Sequence, residues 1–249
     1  MAGMGNGGQI LAATRDAYQG DASLFIAAAH DLKSPLALLR QLALHIEGGG
    51  LSPSEIATTA RRIVLTSERA LRLTTDVTRS THLGGVAAAT IAPLNLTVLC
   101  RDIATEIQPL YRANDRHITV HIPRRSMIGL ADRELLGRIV LNFVDNALHY
   151  SRPDTPVVIT ISRRQRGRVI RLAVRDHGPA VPAKLWQRLH HTIGVRVQPL
   201  HNRPGSSGLG LYIAGQFAAR MRARIGAIRH RDGATFYVDI PAVHQQRLL

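Results

Sequence analysis

Asn142-Phe143-Val144-Asp145-Asn146-Ala147-Leu148-His149-Tyr150-Ser151 closes a stretch of helical periodicity that begins near Asp132. Leu141, Val144 and Leu148 supply its apolar side, while Asn142 and Asn146, four residues apart, share another face. Amide oxygens on a helix face suit a Mg²⁺ ion that bridges phosphates, because such an ion keeps most of its waters and takes few protein ligands. Two solvated asparagines are the plain alternative. The segments beyond this helix narrow the choice.

Val157 to Arg163 and Arg168 to Asp176 read as a hairpin turned near Gln165 to Gly167. Asp176-His177-Gly178-Pro179 leaves the end of its second strand. A carboxylate there, with Gly178 letting the backbone approach, suits an amino group such as that of adenine. Gly205-Ser206-Ser207-Gly208-Leu209-Gly210-Leu211 then runs into an apolar helix expected over Gly208 to Met221. A helix N-terminus offers N–H groups to phosphates, and the stretch is neither a Walker loop, lacking G-K-[ST], nor a Rossmann turn. Arg224 to Arg229, a turn at Asp232-Gly233 and a strand over Thr235 to Ile240 complete this half. Upstream, Leu96 to about Tyr111 reads as a helix, and His117 to Ile122 and Met127 to Leu130 as short strands. Helices and strands in this order predict helices on one face of a mixed sheet.

The first third is different. Phe25, Ala28, Leu32, Pro35, Leu39, Leu42 and Ile46 follow alternating three- and four-residue steps, the seam of a coiled coil or bundle. Gly48-Gly49-Gly50 ends that helix, and Ser52-Pro53 with Glu55 starts another. Ile56, Thr59, Ile63, Thr66, Ala70, Leu73 and Val77 repeat the stepping to about Arg79. Two such helices cannot bury both sides alone, which predicts a homodimer built on a four-helix bundle. His30-Asp31-Leu32-Lys33-Ser34-Pro35 lies on the first helix, with His30 between the seam positions Ala28 and Leu32 and so directed outward. A neutral imidazole is a workable nucleophile toward the γ-phosphoryl group of ATP. Asp31 is placed to accept the other ring N–H.

These segments resemble, in order, the H, N and two glycine boxes of the sensor histidine kinases, over about Ala12 to Pro241. H-D-L-K-S-P is similar to the family's H-[ED]-x-[KR]-[TNS]-P, and N-F-V-D-N-A-L-H-Y-S to N-L-x-x-N-A-x-K-Y-[ST]; G-L-G-L matches in full. The resemblance implies an α+β fold: an N-terminal antiparallel helical hairpin for dimerisation and phosphotransfer (1–83), a linker (84–93) and an α/β-sandwich ATP-binding domain of the histidine kinase/gyrase/Hsp90 type (94–249). It implies ATP-dependent autophosphorylation on His30, with Asp31 as acid/base partner and Ser34 where the family positions water for dephosphorylating a response regulator. It implies ATP and Mg²⁺ as cofactors, the metal on Asn146 and the phosphates supported by Asn142. His149 would contact phosphate and Tyr150 would lie against the nucleotide. Asp176, with Gly178, would read adenine, and Ser207, Gly208, Leu209 and Gly210 would wrap the phosphates. The implied partners are a second copy, a response-regulator receiver domain and ATP or ADP.

Three positions depart from the family pattern. Ala180 stands for the second glycine of Asp176-His177-Gly178-Pro179-Ala180-Val181-Pro182, Ser206 for a common glycine, and Leu185-Trp186-Gln187-Arg188-Leu189 is the best match to the phenylalanine-rich box. Ala180 and the weakly matched phenylalanine-rich box motivate a second reading, a degenerate kinase that binds nucleotide or a partner without catalysis. A gyrase- or Hsp90-like ATPase would leave the hairpin and His30 without a role.

The 249 residues carry 45% hydrophobic, 20% charged and 4% aromatic residues, enough for a mainly aliphatic core and against a disordered chain. The single Cys100 excludes an internal disulfide and fits a reducing, cytoplasmic compartment. The formal charge of +15 is spread along the chain rather than gathered in a tail, so a solvated Arg-rich surface is favoured over nucleic-acid binding. Ser80 to Cys100 lacks charged residues, but His82, Gly84, Gly85, Pro93 and Asn95 interrupt it, so no transmembrane span is expected. Met1 to Gly8 has no positive start typical of a secretory signal. Membrane attachment is expected only through a sensor region outside this chain.

Overall fold

The computed structural model describes residues 6–81, 89–195 and 208–243, which divide into two compact units. The first is a helical pair. Helix α1 (Asn6–Glu47) carries Pro35 inside it without ending there. Gly49 and Gly50, at φ +73° and +79°, then take the left-handed conformation that glycine permits. Helix α2 (Pro53–Thr81) opens on a reciprocal cap: Ser52 N–H donates to Glu55 Oε2 at 2.8 Å, and Glu55 N–H to Ser52 Oγ at 3.3 Å. The Ser52 hydroxyl also donates to Glu55 Oε2 at 2.7 Å, and this bond, then the one from Ser52 N–H, holds the Glu55 carboxyl below its ordinary pKa. Leu24, Ala28, Leu42, Thr59, Ala70 and Val77 are buried along the seam. Phe25, expected on it, is instead exposed, as is Ile56. Leu24 takes the place of Phe25, since steps of three and of four to Ala28 both keep the stripe.

The second unit contains a five-stranded sheet. In chain order its elements are β1 (Ala92–Asn95), α3 (Leu96–Arg112), β2 (Ile118–His121), β3 (Ile128–Ala131), α4 (Arg133–Tyr150), β4 (Val157–Arg164), β5 (Val169–Arg175), α5 (Ala183–Thr192), α6 (Leu209–Arg220), β6 (Arg224–His230) and β7 (Gly233–Pro241). The sheet order is β2-β4-β5-β7-β6, with β2 and β4 parallel and the other neighbours antiparallel. β1 takes in Ala92 and Pro93, the last residues of the expected linker, and pairs antiparallel with β3.

Register explains the core. Ile159, Val174 and Phe236 lie abreast across β4, β5 and β7, as do Ile161, Leu172 and Val238. All six are buried, and Phe236 meets Phe143 of α4 with ring centroids 6.0 Å apart, so α4 covers this face. The opposite face is polar. There Arg171 stacks 3.5 Å from the Tyr237 ring centroid and donates two 2.7 Å hydrogen bonds to Asp239. Opposite Tyr237 stands Gly226, where a β-carbon would overlap the ring. Among the described residues no helix is long and apolar enough to cross a membrane.

Candidate functional site

Helix α4 is the spine of the site. Asp132 caps it, accepting from Glu134 N–H at 2.9 Å and Leu135 N–H at 3.1 Å. Leu136, Ile139, Val140, Phe143, Val144 and Ala147 fasten one side into the core. Tyr111 of α3 donates a 2.8 Å hydrogen bond to the Val144 carbonyl. Its phenol is driven far above the ordinary pKa, chiefly by burial and then by the charges of Asp145 and Asp176. Asn142, Asn146 and Tyr150, half-buried, repeat at four-residue steps along the remaining side. That row is about 12 Å long at the usual helical rise.

Two glycine segments meet the ends of this row. At one end, a β-carbon on Gly210 would stand 3.2 Å from Asn142 Oδ1. Gly210 therefore lets the first turn of α6 come against Asn142. At the other end, a β-carbon on Gly178 would overlap the Tyr150 carbonyl oxygen. The Asp176–Pro182 loop is bonded there too, Arg152 N–H donating to the His177 carbonyl at 3.0 Å. Asp176 itself is 4% exposed, and its Oδ1 accepts from Ala234 N–H at 3.2 Å. Ala180 is exposed and has no left-handed backbone, so its methyl group intrudes on nothing. The glycine that the fold demands is Gly178.

His149 is exposed, edge-on to Tyr150 at 6.4 Å between ring centroids. Gly208, at φ +75°, leads into α6, which starts at Leu209. Ser207 and Ser206 lie outside the described residues. Trp186, from the candidate phenylalanine-rich box, falls on α5.

The row fits a nucleotide and its metal in donor chemistry. Asn142 Nδ2 is buried with no hydrogen-bond partner among the described residues, a donor suited to a phosphate oxygen. Among those residues no three His, Cys, Asp or Glu side chains converge as a metal cage. An Mg²⁺ held by one amide oxygen and by phosphates needs no such cage.

The His30 cluster belongs to the helical unit. The His30 side chain is 65% exposed, and its Nδ1 lies 3.5 Å from Asp31 Oδ1, whose side chain is 19% exposed. Ser34 is exposed one turn further on, on the face His30 occupies.

Tyr111, Ser151 and the Asp232-Gly233 turn also touch this region and went unassigned in the sequence. Ser151 is buried at the end of α4 with its hydroxyl unpaired among the described residues. Gly233, at φ +126°, lies against Asp176, where a β-carbon would overlap the carboxylate. The turn was legible, but the hydrogen bond that ties the adjoining Ala234 to Asp176 spans 58 residues of sequence and carries no local signal.

Residues 131–244 match the family of histidine kinase-, DNA gyrase B-, and HSP90-like ATPases. The histidine protein kinase SaeS of Staphylococcus epidermidis (strain ATCC 12228 / FDA PCI 1200) is 29% identical over 202 residues, 79% of this chain and 56% of that protein. SaeS of Staphylococcus aureus (strain Newman) is 28% identical over 217 residues, 85% and 61%. The chain thus spans little more than half the length of these curated relatives. Full-length ShkA in complex with AMPPNP shares the fold with a TM-score of 0.57 at 22% identity, covering 89% of this chain and 45% of that one. Histidine kinase ThkA in complex with response regulator protein TrrA does so at 0.61 and 18%, covering 94% and 65%. With the α4 row, its flanking glycines and an exposed histidine on a helical pair already in place, residues 131–244 match the ATPase domain shared by histidine kinases, DNA gyrase B and HSP90, and the chain is similar to histidine protein kinases over most of its length.

Proposed function

We propose that this chain is the catalytic core of a sensor histidine kinase that phosphorylates its own His30 from ATP and passes the phosphoryl group to an aspartate of a response-regulator receiver domain. The reading is carried by the α4 row, in which Asn142, Asn146 and Tyr150 run between Gly210 and Gly178. In this reading Asp176 accepts a hydrogen bond from the adenine amino group, and Tyr150 lies against the nucleotide. Asn142 Nδ2 and His149 contact phosphate, while the Ser207-Gly208-Leu209-Gly210 segment wraps it. Asn146 would hold Mg²⁺, which when bound supplies positive charge against the phosphates.

A ring nitrogen of His30 attacks the γ-phosphorus, forming the P–N bond as the bond to the β–γ bridging oxygen breaks and ADP leaves. Asp31 takes the other ring N–H and supports the charge that develops. Ser34, one turn on, positions water when the same protein removes phosphate from its regulator. The AMPPNP and TrrA complexes of the structural relatives support nucleotide and receiver as partners.

A second copy is part of the proposal. Besides the buried seam, α1 exposes Phe25, Ile26, Leu36 and Leu44, which fall within one sector beside it at about 100° per residue. Ile56, Val64 and Leu71 do the same on α2. A homodimeric four-helix bundle would cover them. The domains are assigned as 1–83, 84–93 and 94–249, working on the cytoplasmic side.

Incubation with γ-labelled ATP and Mg²⁺ is expected to give acid-labile, alkali-stable label, and His30→Ala to abolish it. Label that persists in His30→Ala would refute the assignment. Nucleotide binding by the wild-type chain without labelling would favour a binding module instead.

A further inference from the structure

We propose that Asp232, at the tip of the β6–β7 hairpin, is a positioning residue for Asp176 and through it sets the preference for adenine over guanine; the inference rests on Asp176 reading the base. Asp232 clasps the residues on both sides of Asp176. Its Oδ1 accepts from Arg175 Nη2 at 2.5 Å, and its Oδ2 lies 2.8 Å from His177 Nδ1. Arg175 also donates from Nη1 to the Asp176 carbonyl and, at 3.5 Å, to the carbonyls of Asp232 and Ala234. The same hairpin bonds Asp176 directly: Asp176 N–H donates to Ala234 O at 3.0 Å, and Ala234 N–H to Asp176 Oδ1 at 3.2 Å. Further along the loop, Arg229 Nε of β6 donates to the Val181 carbonyl at 2.7 Å.

The chemistry of the base makes this arrangement a selectivity device. A carboxylate oxygen accepts from the C6 amino group of adenine and repels the C6 carbonyl oxygen of guanine, so discrimination depends on where that oxygen is held. Strand ends and the loops beyond them move readily unless something ties them. Here the neighbours on either side are tied by one carboxylate, which the His177 and then the Arg175 hydrogen bonds keep ionised down to a pKa of about 2. The clasp itself is partly exposed, with side-chain exposures of 17% for Arg175, 32% for His177 and 53% for Asp232. Ion pairs so exposed add little to global stability. The expected signature is therefore a change in nucleotide choice at constant fold stability.

The test is calorimetric titration of the whole chain with ADP and with GDP, alongside urea unfolding. Asp232→Ala is expected to weaken ADP about fivefold, the worth of one orienting hydrogen bond, while GDP affinity and the unfolding midpoint stay as they are. His177→Ala is expected to move the ADP/GDP ratio the same way by a smaller factor, and it serves should Asp232→Ala not fold. An unchanged ratio in both variants, or an equal loss for both nucleotides, overturns the proposal. Asp176→Asn separates the two levels. Loss of adenine preference there, with none in Asp232→Ala, sinks only the clasp; an unaltered ratio in Asp176→Asn removes the base-reading role itself.

Discussion

Phe143 and Phe25 are both phenylalanines on long helices, and their surroundings could hardly differ more. Phe143 is 0% exposed, wedged between α4 and the sheet against Phe236; Phe25 is 57% exposed on α1. The contrast extends to their units. In the sheet unit the inward rows of β4, β5 and β7 close over α4, and a polar face held by Arg171, Tyr237 and Asp239 looks the other way. The helical pair buries one seam and leaves a second apolar sector uncovered. A single chain thus closes the core of its sheet unit but leaves an apolar sector of its helical pair uncovered. That division suits the proposed kinase, whose binding domain would work as one copy and whose phosphoacceptor helices would work as two.

The largest effect that bears on this comparison is the loss of Phe143. Phe143→Ala is expected to cost about 3–5 kcal/mol, the usual penalty for emptying an aromatic site in a sealed core. Cys100 offers a direct reading, since it is the only thiol and is 0% exposed, and burial raises its pKa to about 12. Thiol labelling then reports opening of the sheet unit. Labelling of Phe143→Ala at the wild-type rate would mean that this core is looser than its burial indicates.

How far the sequence could foresee this is uneven, for physical reasons. The α4 row, the β4–β5 hairpin and the outward His30 were legible because each depends on local period or spacing. The seam was legible except at Ile56 and at Phe25, where Leu24 and Phe25 both satisfy the stepping to Ala28. Periodicity cannot choose between them. Helix α5 was missed because its ten residues come after Pro179 and Pro182, which read as loop. β1 was missed because Pro93 speaks against a strand, although a short two-stranded edge tolerates it. The partners of Asp176 were out of reach altogether, since Ala234 and the Asp232 turn are joined to that loop only through the sheet.

Tyr111 gives a middle-sized test inside the sealed unit. Tyr111→Phe keeps the ring and removes only the 2.8 Å hydrogen bond to the Val144 carbonyl. The expected cost is about 1 kcal/mol, in the range for a single buried hydrogen bond. Urea unfolding followed through Cys100 labelling measures it. The same change should leave self-association untouched, because Tyr111 is fully buried within its own unit.

The smallest effect on a lone chain should come from Phe25, and there the comparison can be sharpened most. At dilutions where copies separate, Phe25→Ser is expected to shift unfolding by no more than about 0.5 kcal/mol, as for other exposed positions. At concentrations where the bundle is assembled, the wild-type unfolding temperature should rise with protein concentration, because association stabilises the folded form by mass action. Phe25→Ser should flatten that dependence, and sedimentation should find it shifted toward single copies. A wild-type chain whose unfolding ignores concentration would mean that the exposed sector of α1 serves something other than a second copy. The asymmetry between the two phenylalanines would then describe a surface rather than an unfinished core.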